Sequence, residues 1–253
     1  MKVSLIPYII LILMGAAWGL SIPLTKITVS TGYGQFGLIF WQFVIAVIVL
    51  GFVLIVRRKR PLFERKTIFL FIVLALLGTI FPNSASYVAT YYLPASFIAI
   101  LIATVPMFSF PIAMLMGLEK KDFRRISGLF IGLIGVVILT GPEASFPDRH
   151  LLIFIPLALL APFFYAIEGN YVDKYGTAGQ DPIQTFTGAS ILGTFLILPV
   201  TISTGQWIDP LQPWPKENYT HVASSCCHAS VSYTHLRAHE TVLDLVCRLL
   251  LEK

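Results

Sequence analysis

Between Leu5 and Thr204 the chain holds seven apolar runs, at about 5–28, 36–56, 67–91, 95–118, 126–141, 151–172 and 183–204. A bilayer core of ~30 Å needs about 20 helical residues to cross it. With no water in that layer, every backbone N–H and C=O must bond within its own helix. The chain is therefore predicted to be an all-α polytopic membrane protein, a helical bundle of seven complete spans, with an eighth beginning near Tyr219.

Only 12% of the residues are charged, against roughly 25% in a soluble domain, and the mean hydropathy is +0.80. A net charge of +5 would ordinarily raise nucleic acid as a partner. Here the basic residues sit in short loops with no aromatic-interleaved stripe, so nucleic-acid binding is excluded and the charge sets orientation. The loop Arg57-Arg58-Lys59-Arg60-Pro61-Leu62-Phe63-Glu64-Arg65-Lys66 and the turn Glu119-Lys120-Lys121-Asp122-Phe123-Arg124-Arg125 fall on one side with Lys2 and Lys174, while Arg149 and Lys216 fall on the other. The positive-inside rule then places the N-terminus in the cytoplasm, and Tyr91, Tyr92, Trp207, Trp214 and Tyr219 form an outer aromatic belt. A cleaved signal peptide is the alternative for the first run, with Gly15-Ala16-Ala17 as the small-residue site.

Hydropathy breaks down at the C-terminus. Val231–Thr241 and Leu245–Lys253, separated by Val242, Leu243 and Asp244, resemble one reading frame of a transposase-type sequencing-library adaptor with its index. Residues 230–253 are accordingly expected to be non-native, which removes His235, His239 and Cys247 as ligands. The native gene is expected to continue past Ala229, and the chain as it stands to lack part of its cavity wall and its transport activity. Of the remainder, His221 and Cys226-Cys227-His228 are poor zinc ligands, because zinc sites use spaced cysteine pairs. No metal and no cofactor is expected.

From Leu93-Pro94-Ala95-Ser96 the sequence runs to Thr104-Val105-Pro106, Pro111 and Gly117-Leu118-Glu119, then a basic turn and Gly128, Gly132, Gly135 and Gly141. With Gly15 to Trp18, this order resembles the EamA-type module of the drug/metabolite transporter superfamily. The resemblance covers residues 1–141 as a first five-span module and 151–229 as an incomplete second one. It implies ten spans in two inverted repeats around a central cavity. Independently, five is odd, so a repeated unit of five spans re-enters the membrane with opposite orientation. Ile6-Pro7 and Ile155-Pro156 open runs one and six, Gln35 and Gln184 precede runs two and seven, and both pairs are 149 residues apart. Where many members carry an Arg early in the second span, this chain has Trp41-Gln42-Phe43, so any role of that Arg does not carry over.

Polar groups inside a membrane are costly and mark function by default. We place Trp18, Trp41, Gln42, Asn83, Tyr87, Glu168 and Asn170 at the substrate cavity. Glu168 is the carboxylate within a span; it can take a proton or a cationic group, or it can snorkel to the cytoplasmic face. Lys26 similarly divides between snorkelling and an anion contact. Asn83 and Tyr87 share a helix face with the spacing i, i+4, just after Pro82, and hydrogen bonding between helices explains the patch as well as substrate binding does. Trp18, Trp41 and Tyr87 offer aromatic walls that favour amines, or simply packing. Pro106 and Pro111 are expected to kink the fourth span, and Gly128, Gly132 and Gly135 to allow close helix packing.

The leading function is a secondary transporter of a small organic metabolite, an exporter by resemblance, working by alternating access across a bacterial cytoplasmic membrane. Its partners are the lipid bilayer, the small-molecule substrate and, through Glu168, protons. No phosphate-binding Gly-rich loop ending in GKS or GKT occurs, which argues against direct ATP hydrolysis. A membrane-embedded enzyme would need convergent nucleophile, base or metal ligands, and the predicted spans contain no His before His221 and no HExxH. The alternative is a membrane-embedded scaffold or lipid-binding subunit without transport activity.

Overall fold

The computed structural model describes residues 6–139 and 149–209, and among these every regular element is helical. The predicted eighth run, the adaptor-like tail and the His221 to His228 cluster lie outside the described residues. The first two runs are single helices, α1 (Ile6–Val29) and α2 (Gln35–Val56). The third run is divided into α3 (Arg65–Ala75), a π-helical turn (Leu76–Ile80) and α4 (Phe81–Tyr92). The fourth is divided into α5 (Ala95–Ile102) and α6 (Val105–Leu115). Then come α7 (Phe123–Leu139), a 3-10 turn (Arg149–Phe154), α8 (Ile155–Tyr175) and α9 (Pro182–Ser203). Among the described residues five segments are long and apolar enough to cross a membrane: α2, α3 to α4, α5 to α6, α8 and α9.

Both divisions have a proline beside them. Pro82 has no N–H to donate, so the helical ladder cannot run through it unbroken. The chain takes one wide turn instead, in which Phe81 N–H bonds to Leu76 O five residues back. The fourth run breaks at Ala103 and Thr104. Pro106 then sits in the first turn of α6, where a missing N–H leaves nothing unsatisfied. The kink expected at Pro106 is thus a break between two helices, whereas Pro111 lies inside an uninterrupted α6.

α9 packs along α2 and α3, α8 along α4 and α6, and α1 against α4 and α5. The α9 seam is tight because two glycines receive phenyl rings. A Cβ on Gly188 would collide with Phe71, and one on Gly193 with Phe43; both rings are buried. Among the described residues α7 packs mainly on α5 and α6 and exposes Phe130, Ile131, Ile134 and Ile138. The close approach expected along its glycines occurs at Gly132 alone, where an added Cβ would lie 3.0 Å from Met107 Cε. Gly128 and Gly135 meet nothing within 4 Å among the described residues, because α7 touches the bundle along one narrow strip.

The connecting segments gather at two opposite ends, as alternating crossings require. At one end Lys59 Nζ donates to Asp181 Oδ2 at 2.7 Å, Gln184 Nε2 to Arg60 O at 2.6 Å, and Lys174 Nζ to Met116 O at 2.8 Å. At the other end Phe36 N–H donates to Gln206 Oε1 at 2.9 Å. There, too, the Tyr92 ring stacks on Phe154 with centroids 3.9 Å apart.

Candidate substrate cavity

The site is built where α1, α2, α4 and α8 converge. Gln42 on α2 is the hub: its Oε1 accepts from Tyr87 OH at 2.7 Å and from Asn83 Nδ2 at 2.9 Å, both on α4. Asn83 Oδ1 in turn accepts from Tyr165 OH of α8 at 3.1 Å. Gln42, Asn83 and Tyr87 are all buried. Buried amides and phenols are costly without partners, and this chain of bonds satisfies them across three helices. It also fixes which way each phenol points.

Above the network lies a cavity of about 20 Å³, lined by Trp18, Ser21, Thr25, Asn83, Ser86, Tyr87, Thr90 and Tyr165 with Ile22, Ile98 and Ile102. That volume suits about one water molecule. A larger cavity of about 280 Å³ lies toward the end where Gln206 meets Phe36, lined by Val29, Gly32, Tyr33, Gly34, Gln35, Tyr87, Val88, Tyr91 and Tyr92. Tyr87 borders both.

The residues singled out in the sequence are not all brought together. Trp18, Asn83 and Tyr87 line the small cavity, and Gln42 supports it from behind. Trp41 turns its indole outward along α2, donating from Nε1 to Ile208 O at 3.0 Å and packing on Phe40 and Trp207. Asn170 is 2% exposed and its Nδ2 donates to Ser109 O at 3.1 Å, Ser109 Oγ at 2.9 Å and Ala166 O at 2.8 Å, tying α8 to α6. Lys26 reaches the last turn of α4, where its Nζ donates to Thr90 O at 2.7 Å and Tyr91 O at 2.9 Å. A cation there complements the negative end of the helix dipole.

Glu168 lies one turn beyond Tyr165 on α8, with the spacing i, i+3 that puts both on one face. Its carboxylate rests on the π-turn of the third span: a Cβ added to Gly78 would lie 2.5 Å from Oε1. Sequence reasoning missed Tyr165 and Gly78. The spacing of Tyr165 from Glu168 was an available signal; Gly78, in the apolar stretch Leu76-Leu77-Gly78-Thr79-Ile80, had none.

A bundle of long apolar helices with a polar, aromatic-walled chamber at its centre defines an integral, multi-pass membrane protein of the solute-transport class. A family model matches residues 5–141, and the chain belongs to the EamA-like transporter family. No curated protein matches it.

Proposed function

We propose that this protein is a secondary transporter that carries a small organic metabolite through the chamber beside Trp18, Tyr87 and Tyr165 by alternating access, in the direction of export. It sits in a bacterial cytoplasmic membrane with its N-terminus inside, as the loop charges imply. Residues 1–141 form one five-span module and 151–229 belong to its inverted counterpart. The start of α2 at Gln35 and of α9 at Pro182, beside Gln184, supports that repeat.

The observation that carries this reading is the position of Tyr87. Its side chain borders both the polar chamber of about 20 Å³ and the cavity of about 280 Å³ on the far side from the basic loops. On the cytoplasmic side, Lys59, Arg60 and Leu62 are bonded to Gln180, Asp181 and Gln184. A small polar chamber next to a larger cavity at one end, with the loops of the opposite end bonded to one another, fits a transporter that alternates between two open states. Glu168 below the chamber supplies a group for proton coupling.

The test is solute flux in proteoliposomes containing the full-length gene product, loaded in turn with amino acids, nucleosides and organic amines, with and without a proton gradient. Flux of one class that depends on the protein is expected. Absence of flux for every class would sink the transporter reading and leave the scaffold.

A further inference from the structure

The third span is one run in sequence but two pieces in packing. Its first half, α3, lies on α9; its second half, α4, lies on α8, α1 and α2. The π-turn between them is the place where these two sets of contacts can shift relative to each other. Single π-turns inside α-helices recur at functional sites, and here Pro82 stands two residues past the turn, so the backbone ladder is already interrupted there.

Glu168 is laid across this joint. Relative to a Cβ placed on Gly78, its Oε1 lies at 2.5 Å, Cδ at 2.7 Å and Oε2 at 3.0 Å, so the whole carboxylate plane covers the glycine. Any other residue at 78 would displace it. Among elements packed on α8, the π-turn, α5 and α6 contain no ionisable residue. α4 contributes Tyr87 through Asn83 and Tyr165, with Tyr91 and Tyr92 at its far end. Arg149 and His150 precede the start of α8, and Glu168 lies a further ~20 Å along that helix. On α8 itself Tyr165 shares the face of Glu168. Tyr171, Asp173, Lys174 and Tyr175 lie toward its C-terminus, and Lys174 is bonded to Met116 O.

We propose that Gly78 is the positioning residue for Glu168, and that the carboxylate seated on the π-turn links its protonation or cation occupancy to the bend of the third span. This rests on the transport reading for its purpose, while the seating itself can be tested without transport. A glycine in a membrane helix otherwise lowers helix propensity with no return. Contact with a carboxylate gives the return.

Labelling of the purified full-length protein with dicyclohexylcarbodiimide, which reacts with protonated carboxyl groups in apolar surroundings, reads the state of Glu168 as a function of pH. Glu168→Gln identifies the labelled site. Gly78→Ala is expected to displace the labelling midpoint by about one pH unit, the scale of altered desolvation or hydrogen bonding. The same variant displaces the pH profile of transport. Gly51→Ala, where an added Cβ meets nothing within 4 Å, leaves both unchanged. Glu168→Asp is one methylene shorter, so in the Gly78→Ala background it returns the labelling midpoint and the transport profile part of the way, which a general folding defect would not allow. Superimposable profiles for Gly78→Ala and the unaltered protein overturn the proposal, as does a double variant no better than Gly78→Ala alone. A displaced labelling curve in a protein that moves no solute upholds the seating and refutes transport.

Discussion

Gln180 grips the backbone of Leu62 from both sides: its Oε1 accepts from Leu62 N–H at 2.9 Å and its Nε2 donates to Leu62 O at 3.3 Å. A side-chain amide thus does for an isolated loop residue what a neighbouring strand does in a sheet. Gln180 is 4% exposed, although Leu62 itself faces solvent, so the pairing is shielded on the Gln180 side. It joins the loop between α2 and α3 to the turn before α9.

Gln180→Ala removes the partner of Leu62 N–H, while Leu62 O keeps the hydroxyl of Thr67 at 2.6 Å, so the expected cost is that of an ordinary hydrogen bond, about 0.5–1.5 kcal/mol. A lower Tm in detergent is the expected outcome. Gln180→Glu keeps the shorter of the two bonds and is expected to lose less. Equal Tm values for the alanine variant and the parent would show that the grip contributes nothing.

Asp181 stands one residue further on, as N-cap of α9, accepting from Gln184 N–H at 2.9 Å. Partial burial acts to raise its pKa. The hydrogen bonds from Lys59 and Gln184 N–H and the charges of Lys59 and Arg57 outweigh burial and hold the carboxyl below the usual carboxylate range. A depressed folded-state pKa means a stabilising contribution fully present above the unfolded value of ~3.9 and lost as pH falls through the folded value. Asp181→Asn retains a good cap but not the ion pair, so its Tm deficit at pH 7 is expected to be small, about 0.2–1 kcal/mol for an exposed pair, and to vanish in acid. Asp181→Ala also loses the cap, adding about 0.5–2 kcal/mol. A deficit for Asp181→Asn that persists unchanged at pH 2 would remove the ion pair from the account.

These loop contacts were illegible in the sequence, while the spans were plain. Twenty apolar residues in a row have few alternatives, so α2, α8 and α9 emerge within a few residues of their predicted bounds. Which face of each is buried is another matter. α2 is apolar on nearly every side, Gln42 apart, so the helical period gives it little orientation, whereas the stripe Thr187, Ser190, Thr194 and Thr201 on α9 marks the face that the bundle buries. Their pairing depends on the notches at Gly188 and Gly193 meeting Phe71 and Phe43, a match of shape between distant residues that neither segment announces. Asn83 and Tyr87 were legible as one face of one helix; that their shared partner is Gln42 required the fold. The π-turn gave no polar signal, and Pro82 alone hinted at it.

The glycine notches make a direct prediction. Gly188→Ala pushes a methyl group into the ring of Phe71, which is fully buried and has no room to retreat. Overpacking of this kind costs about 1–3 kcal/mol. The measurement is unfolding in mixed detergent, and Phe71→Leu in the Gly188→Ala background is expected to recover part of the loss. No recovery would mean that the two positions do not share one contact.

Gln42 ties stability to the chamber itself. Its single oxygen holds both Asn83 and Tyr87, so Gln42→Leu strands two donors at once, whereas Tyr87→Phe removes one bond and keeps the aromatic wall. Hydrogen bonds between membrane helices are worth ~0.6 kcal/mol on average, so neither variant is expected to unfold the bundle. The consequence falls on the orientation of the phenols. With Gln42 gone, Asn83 is released from α2 and no longer holds Tyr165 in place from α8. Flux through Gln42→Leu is expected to drop about tenfold, equivalent to ~1.4 kcal/mol, and flux through Tyr87→Phe by less. The reverse order in proteoliposome assays would mean that the Tyr87 hydroxyl meets the substrate directly and that the Gln42 hub is only a structural tie.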